Sequence, residues 1–158
     1  MIKLLIFIGL FLSVDVIGGD INNIIADDLL ITQQKLHTNK DRKERKQLKL
    51  LIKIIKLAIP ICETESNCKN VINEDTKDYG IFQANVATIN RILKEVPNKL
   101  DYFMFDIYTQ YVVYKLVMLE KYRLYSKKHP SDWICTYNSA IPKFRKAYCK
   151  KLRKNISK

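Results

Sequence analysis

A single glycine remains once the first nineteen residues are set aside. Gly9, Gly18 and Gly19 fall in that opening stretch, and Gly80 stands alone in the rest of the chain. Sheet-rich folds turn tightly and often, and their turns draw on glycine for backbone conformations closed to other residues. A chain this poor in glycine is expected to be mainly α. Its 158 residues, 47% of them hydrophobic, suit one compact domain and are too apolar for a disordered tail.

The spacing of apolar residues agrees. Leu48, Leu51, Ile52, Ile55 and Ile59 follow a helical period, with Lys49, Lys53 and Lys56 on the opposite stripe. Pro60 then kinks the helix or opens a new turn. Ile89, Ile92, Leu93 and Val96 predict a short helix stopped by Pro97. The longest stripe runs from Leu100 through Met104, Ile107, Tyr111, Tyr114, Met118 and Tyr122 to Tyr125, which predicts a central buried helix. Ser131 or Asp132 is expected to cap the segment at Trp133. The break from Ser139 to Pro142 precedes a basic C-terminal helix. Residues 67–79 are the polar, non-periodic stretch of the body, as loops that carry function tend to be.

The first nineteen residues resemble a targeting segment. Lys3 precedes the apolar run Leu4–Val14, which is too short to span a bilayer and suits a secretory signal, with an uncleaved membrane anchor as the alternative. Export makes Cys62, Cys68, Cys135 and Cys149 candidates for two disulfides. Four cysteines allow three pairings, of which the short-range set, Cys62–Cys68 and Cys135–Cys149, is favoured. A zinc site is disfavoured by the lack of a C-x-x-C pair and by the distance of His37 and His129 from the cysteines.

The 28 Lys+Arg outnumber the 16 Asp+Glu, giving a formal charge of +12 and pointing to a polyanionic partner. Residues 35–56 hold nine basic residues against two acids, and 143–158 hold eight against none, whereas the body between is balanced. The expected organisation is therefore a signal peptide or anchor at 1–19, a polar, basic lead at 20–47, a body at 48–142, whose catalytic character rests on the resemblance given below, and a basic helix at 143–158. A nucleic-acid module would explain the charge. The export signal and the separation of basic residues from aromatic ones argue against it. The lysine-striped helix at 48–59 is compatible with contact at a membrane surface.

Three strings concentrate the chemistry: Glu63-Thr64-Glu65-Ser66, Asp78-Tyr79-Gly80-Ile81-Phe82-Gln83-Ala84-Asn85, and Tyr137-Asn138. A carboxylate among apolar residues gains a raised pKa, as a general acid near neutral pH requires. In their order and separation, Glu65–Ser66, Gly80–Gln83 and Tyr137–Asn138 resemble the lytic transglycosylase SLT family of the lysozyme superfamily. The closest variants are the small exported enzymes that accompany secretion, conjugation or phage DNA-injection machines. The Asp78–Asn85 string is similar to one that c-type lysozymes also carry.

The resemblance covers about 48–142 and implies a mainly α, lysozyme-like fold with a short polar loop or hairpin at 67–79. It implies cleavage of peptidoglycan between N-acetylmuramic acid and N-acetylglucosamine by a monomeric, periplasmic or secreted enzyme that needs no metal or organic cofactor. Glu65 matches the catalytic acid, and Ser66 a residue that positions the acid or the substrate. Gln83 matches a sugar-contacting amide, Gly80 a close approach of backbone to the glycan, and Tyr137 and Asn138 a pair lining the floor. The third motif departs from the family in continuing with Ser139 and Ala140 where a small residue and glycine are usual. Asp78 separates two reactions. As a second carboxylate it would support lysozyme-type hydrolysis, whereas a transglycosylase needs only the C6 hydroxyl of its own substrate. A wall-binding scaffold without activity is the non-enzymatic alternative.

Overall fold

A computed structural model describes residues 20–139 and 141–157. The targeting segment expected at 1–19 lies outside them. Among the described residues no helix is long and apolar enough to cross a membrane. The chain is mainly helical, with one small antiparallel sheet.

Helices α1 (Ile21–Thr38) and α2 (Arg42–Lys56) pack on each other, and both begin on side-chain caps. Asp20 accepts from the Asn22 amide and Asp41 from the Glu44 amide, each satisfying a donor that the first turn leaves open. Arg45 donates to the carbonyls of Leu36 and Asn39, where α1 runs out of partners. The stretch expected as a polar lead at 20–47 is thus part of the folded body. Ile21, Ile24 and Ile25 are buried, and Asp28 accepts from the Tyr111 hydroxyl at 2.8 Å and the buried Lys115 ammonium at 2.6 Å.

Pro60 opens a new helix, α3 (Ala58–Glu65), and sits in its first turn, where a missing N–H costs little. Beyond it the polar stretch folds as expected into a hairpin, β1 (Ile72–Asn73) with β2 (Asp78–Tyr79), and β3 (Ala84–Asn85) pairs on the other side of β2. Helix α4 (Val86–Ile92) starts on the Asn85 cap and ends before the expected stop at Pro97. Val96, restrained away from helical backbone by the proline after it, donates to Leu93 in a turn instead.

The stripe Leu100–Tyr125 is two helices, α5 (Lys99–Phe105) and α6 (Ile107–Tyr125), where one was expected. Asp106 makes the break. Its carboxylate accepts from the amides of Tyr108 and Thr109, which outcompetes the helical carbonyls at that point. Apolar spacing carries no trace of this, because both helices bury the same kind of side chain. Helix α6 is central as expected, touching α1, α2, α5 and the 3-10 turn Trp133–Thr136. The last helix, α7 (Pro142–Ile156), begins at the expected proline. Asp132 precedes the 3-10 turn without capping it, because its carboxylate takes Arg153 of α7 at 2.6 Å.

Both disulfides are of the short-range set: Cys62–Cys68 and Cys135–Cys149, with Cα atoms 4.7 and 5.0 Å apart. Two disulfides fit an oxidising compartment. The second ties α7 to the 3-10 turn. Helix α7 buries Tyr148, Cys149 and Leu152 and packs on α3, so the packing crosses the boundary expected at 142.

Candidate functional site

Glu65 is the last residue of α3, and the chain around it is held from three sides. Cys62–Cys68 brackets it in sequence. The Ser66 hydroxyl donates to the Ile81 carbonyl at 2.6 Å, tying the helix end to the turn after β2. From α7, Lys151 donates to the Thr64 carbonyl, and the Asn155 amide donates to the Thr64 hydroxyl at 3.0 Å. Position 65 is therefore held by its neighbours on both sides, while its carboxyl Oε1 has no hydrogen-bond partner among the described residues.

Burial pushes the Glu65 carboxyl from its ordinary 4.5 up to about 7, because a buried charge loses its water. The Tyr148 hydroxyl, the Lys151 ammonium and the Asn138 amide pull in the other direction, and the Asp78 carboxylate adds to the rise. Tyr148 approaches closely enough to favour the charged carboxylate, yet the contact does not reach a hydrogen bond of normal geometry. Glu65 Oε1 and the Tyr148 hydroxyl are both buried without a partner among the described residues. An unpaired polar atom without accessible surface is costly to bury, and here two of them come from separate helices.

Beneath them lies an aromatic floor. Phe82 stacks on Tyr114 with centroids 4.5 Å apart, and the Tyr137 hydroxyl donates to the Phe82 carbonyl at 2.9 Å. Tyr137 is buried, so its expected place near the acid is a supporting one. Ile81 and Phe82 belong to the core. Asp78 lies on β2, and its carboxylate accepts from Asn85 at 3.2 Å. Asn138 is exposed and stands beside Glu65.

Gly80 is held to glycine by the protein's own interior. Its φ is +79°, and a Cβ there would meet Gln110 Oε1 at 2.4 Å and a Phe103 ring carbon at 2.9 Å. The missing side chain makes way for Gln110 and Phe103 of the protein's own interior. The donor half of the Gln83 amide is committed as well, to the carbonyls of Gly80 at 2.8 Å and Val71 at 3.1 Å. Its carbonyl oxygen is the group left to meet a ligand.

Three residues at the site were missed in the sequence. Gln110, wholly buried, accepts from the Ile81 amide at 2.8 Å and donates to the Phe103 carbonyl and Asn70, which locks the hairpin onto α6. A glutamine inside an apolar stripe was the available signal. Tyr148 and Lys151 lay in a segment read for its charge alone. Tyr148, Cys149 and Leu152 at helical spacing marked a buried face there. Comparison of the chain with protein-family models, with curated proteins and with solved structures finds no match.

Proposed function

We propose that the chain is a lytic transglycosylase that cleaves the β-1,4 bond between N-acetylmuramic acid and N-acetylglucosamine in peptidoglycan. The observation that supports this most directly is Glu65: buried, poised near neutrality, and fixed by the residues around it while one of its oxygens has no partner. Protonated Glu65 gives its proton to the glycosidic oxygen as the bond to the muramic acid C1 breaks. The C6 hydroxyl of the same sugar then attacks C1 and returns its proton to the Glu65 carboxylate. The product is a 1,6-anhydro sugar, and the acid is regenerated without water. Tyr148 stands beside the carboxyl and favours its charged form, and on this reading Asn138 and the Gln83 carbonyl oxygen meet sugar substituents.

Asp78 favours a second reading. Its charge reaches Glu65 from β2, and a paired carboxylate can serve as nucleophile in retaining hydrolysis. The bond cleaved would be the same and the product a reducing end. In either scheme the natural setting is an exported enzyme at the cell wall, serving a secretion, conjugation or phage assembly. Purified peptidoglycan incubated with the protein and examined by mass spectrometry separates the cases. Anhydromuropeptides support the transglycosylase, reducing muropeptides the hydrolase, and unchanged wall a binding scaffold.

A further inference from the structure

Helix α2 carries Arg42, Lys46, Lys49, Lys53 and Lys56 at alternating steps of four and three residues, so these cations line one stripe about 20 Å long. All are exposed, and none makes an ion pair with a described residue. The other side of the helix is spent on the core, where Ile54 and Ile55 are wholly buried. A helix held in this way cannot turn its own apolar face outward, which leaves the charged face as its contact. Helix α1 adds to that side. The short connection 39–41 folds α1 back along α2, and both helices pack on α6, so their outer faces point the same way. Leu30 and Ile31, 55% and 43% exposed, stand level with Lys49 on counting back equally from the turn. Leu30 lies across its helix from Ile25, Asp28 and Thr32, the side chains turned to the body. Asp27, a turn earlier, is exposed as well and offsets one of the charges.

We propose that this face of the α1–α2 hairpin docks on an anionic membrane surface, with the basic stripe on lipid headgroups and Leu30 and Ile31 dipping among them. Charge complementarity alone would suit any polyanion. Two observations select lipid. An exposed leucine and isoleucine beside the cations gain nothing from a phosphodiester polymer, whereas a bilayer interface takes their apolar surface out of water. The sequence also carries the apolar run Leu4–Val14 shortly before Asp20, the cap of α1. A short apolar run and a basic patch are each weak anchors, and stable attachment takes two such signals. The inference stands apart from the cleavage reading, since it concerns where the fold is held and not what Glu65 does there.

The test uses the full chain with Arg42, Lys46, Lys49 and Lys56 changed to glutamine. Lys53 is kept, because its ammonium lies 5.5 Å from the centre of the Trp133 ring. A second variant changes Lys143, Lys146, Lys150 and Lys154 of α7 to glutamine and so removes the same charge elsewhere. Cosedimentation with vesicles of phosphatidylglycerol and phosphatidylcholine is the readout, at physiological salt, where distant charges are screened. The α2 variant should bind at least about 100-fold more weakly, since each cation at the surface contributes about a factor of five. The α7 variant should stay within a few-fold of the parent. Leu30→Gln with Ile31→Gln should weaken vesicle binding severalfold and leave binding to poly(glycerol phosphate) unchanged. Thermal unfolding of all three variants should match that of the parent, because the altered side chains are exposed. Equal loss in the two basic-stripe variants would make net charge the cause and overturn the proposal. A loss on poly(glycerol phosphate) or duplex DNA as large as that on vesicles would overturn it too, as would vesicle binding indifferent to Leu30 and Ile31.

Discussion

Among the described residues Glu65 has a buried carboxyl oxygen without a hydrogen-bond partner. Glu65→Gln should abolish cleavage with the fold intact, because an amide has no proton to give. Glu63→Gln should be mild, since two residues along a helix point to different faces. Stability should move the other way. A carboxyl whose folded pKa lies above its unfolded one supports the fold fully below about pH 4.5 and loses that support as pH rises through about 7. Glu65→Gln should therefore unfold at a higher temperature than wild type at pH 8, by up to about 3 kcal/mol of linkage, and match it at pH 4. Equal melting curves at both pH values would remove the buried acid. The same titration sets the rate. Activity should fall as pH rises through about 7, where Glu65 loses its proton. Tyr148→Phe, which removes a group favouring the carboxylate, should move that limb to higher pH, and Asp78→Asn should move it lower. On the transglycosylase reading Asp78→Asn loses at most about 10- to 100-fold in rate, the equivalent of roughly 1.4–2.8 kcal/mol of misplaced contact. Inactivity as complete as that of Glu65→Gln, with reducing ends from wild type, would make Asp78 the nucleophile.

At the scale of elements, side chains that bond to backbone decide what apolar spacing leaves open. The turn at Pro60, the polar hairpin and the proline start of α7 were legible because proline and polar runs act locally. The break at Asp106 was not, although an aspartate two and three residues ahead of open amides is a cap wherever it occurs. Asp106→Ala should cost about 1–2 kcal/mol, as lost caps do, read as a lower midpoint in urea. Because Gln110 spans from α6 to Phe103 and Ile81, loosening the start of α6 should also raise KM. A variant with unchanged midpoint would show that the two helices hold their angle by packing alone. The burial of Glu65 and its raised pKa were legible as well, because the apolar residues around it are local in sequence. Tyr148 and Lys151 were not, since they reach Glu65 only through the packing of α7 on α3, and the surplus of lysines around them masked the buried face.

Across the whole molecule the surplus charge has a second outlet. Lys143, Lys146, Lys150 and Lys154 recur along one exposed stripe of α7 and make no ion pair with any described residue. The opposite stripe carries Tyr148 and Leu152, so deleting the helix would remove part of the site along with the charge. Changing those four lysines to glutamine separates the two. Binding to an anionic wall polymer at low salt should weaken severalfold while cleavage of short neutral glycans stays near the parental rate. The difference should shrink at physiological salt, where exposed charges are screened over about 8 Å. Unchanged binding would mean that this charge serves solubility rather than docking.

Both cross-links are short, one closing on either side of the exposed turn at Glu74–Lys77. No covalent bond other than the backbone joins the two halves. A single cut after Lys77 would leave Glu65 with the leading fragment and Asp78, Gln83, Tyr137 and Tyr148 with the trailing one. The pieces would stay together through non-covalent contacts: the seams of α1 and α2 with α6 and of α3 with α7, the β1–β2 pairing, and side-chain bonds such as Ser66 to Ile81 and Gln110 to Asn70. In denaturant, without any reductant, they would part, each with its own disulfide intact. On dilution out of denaturant the pieces would have to reassociate before Glu65 again stood beside Asp78 and Tyr148.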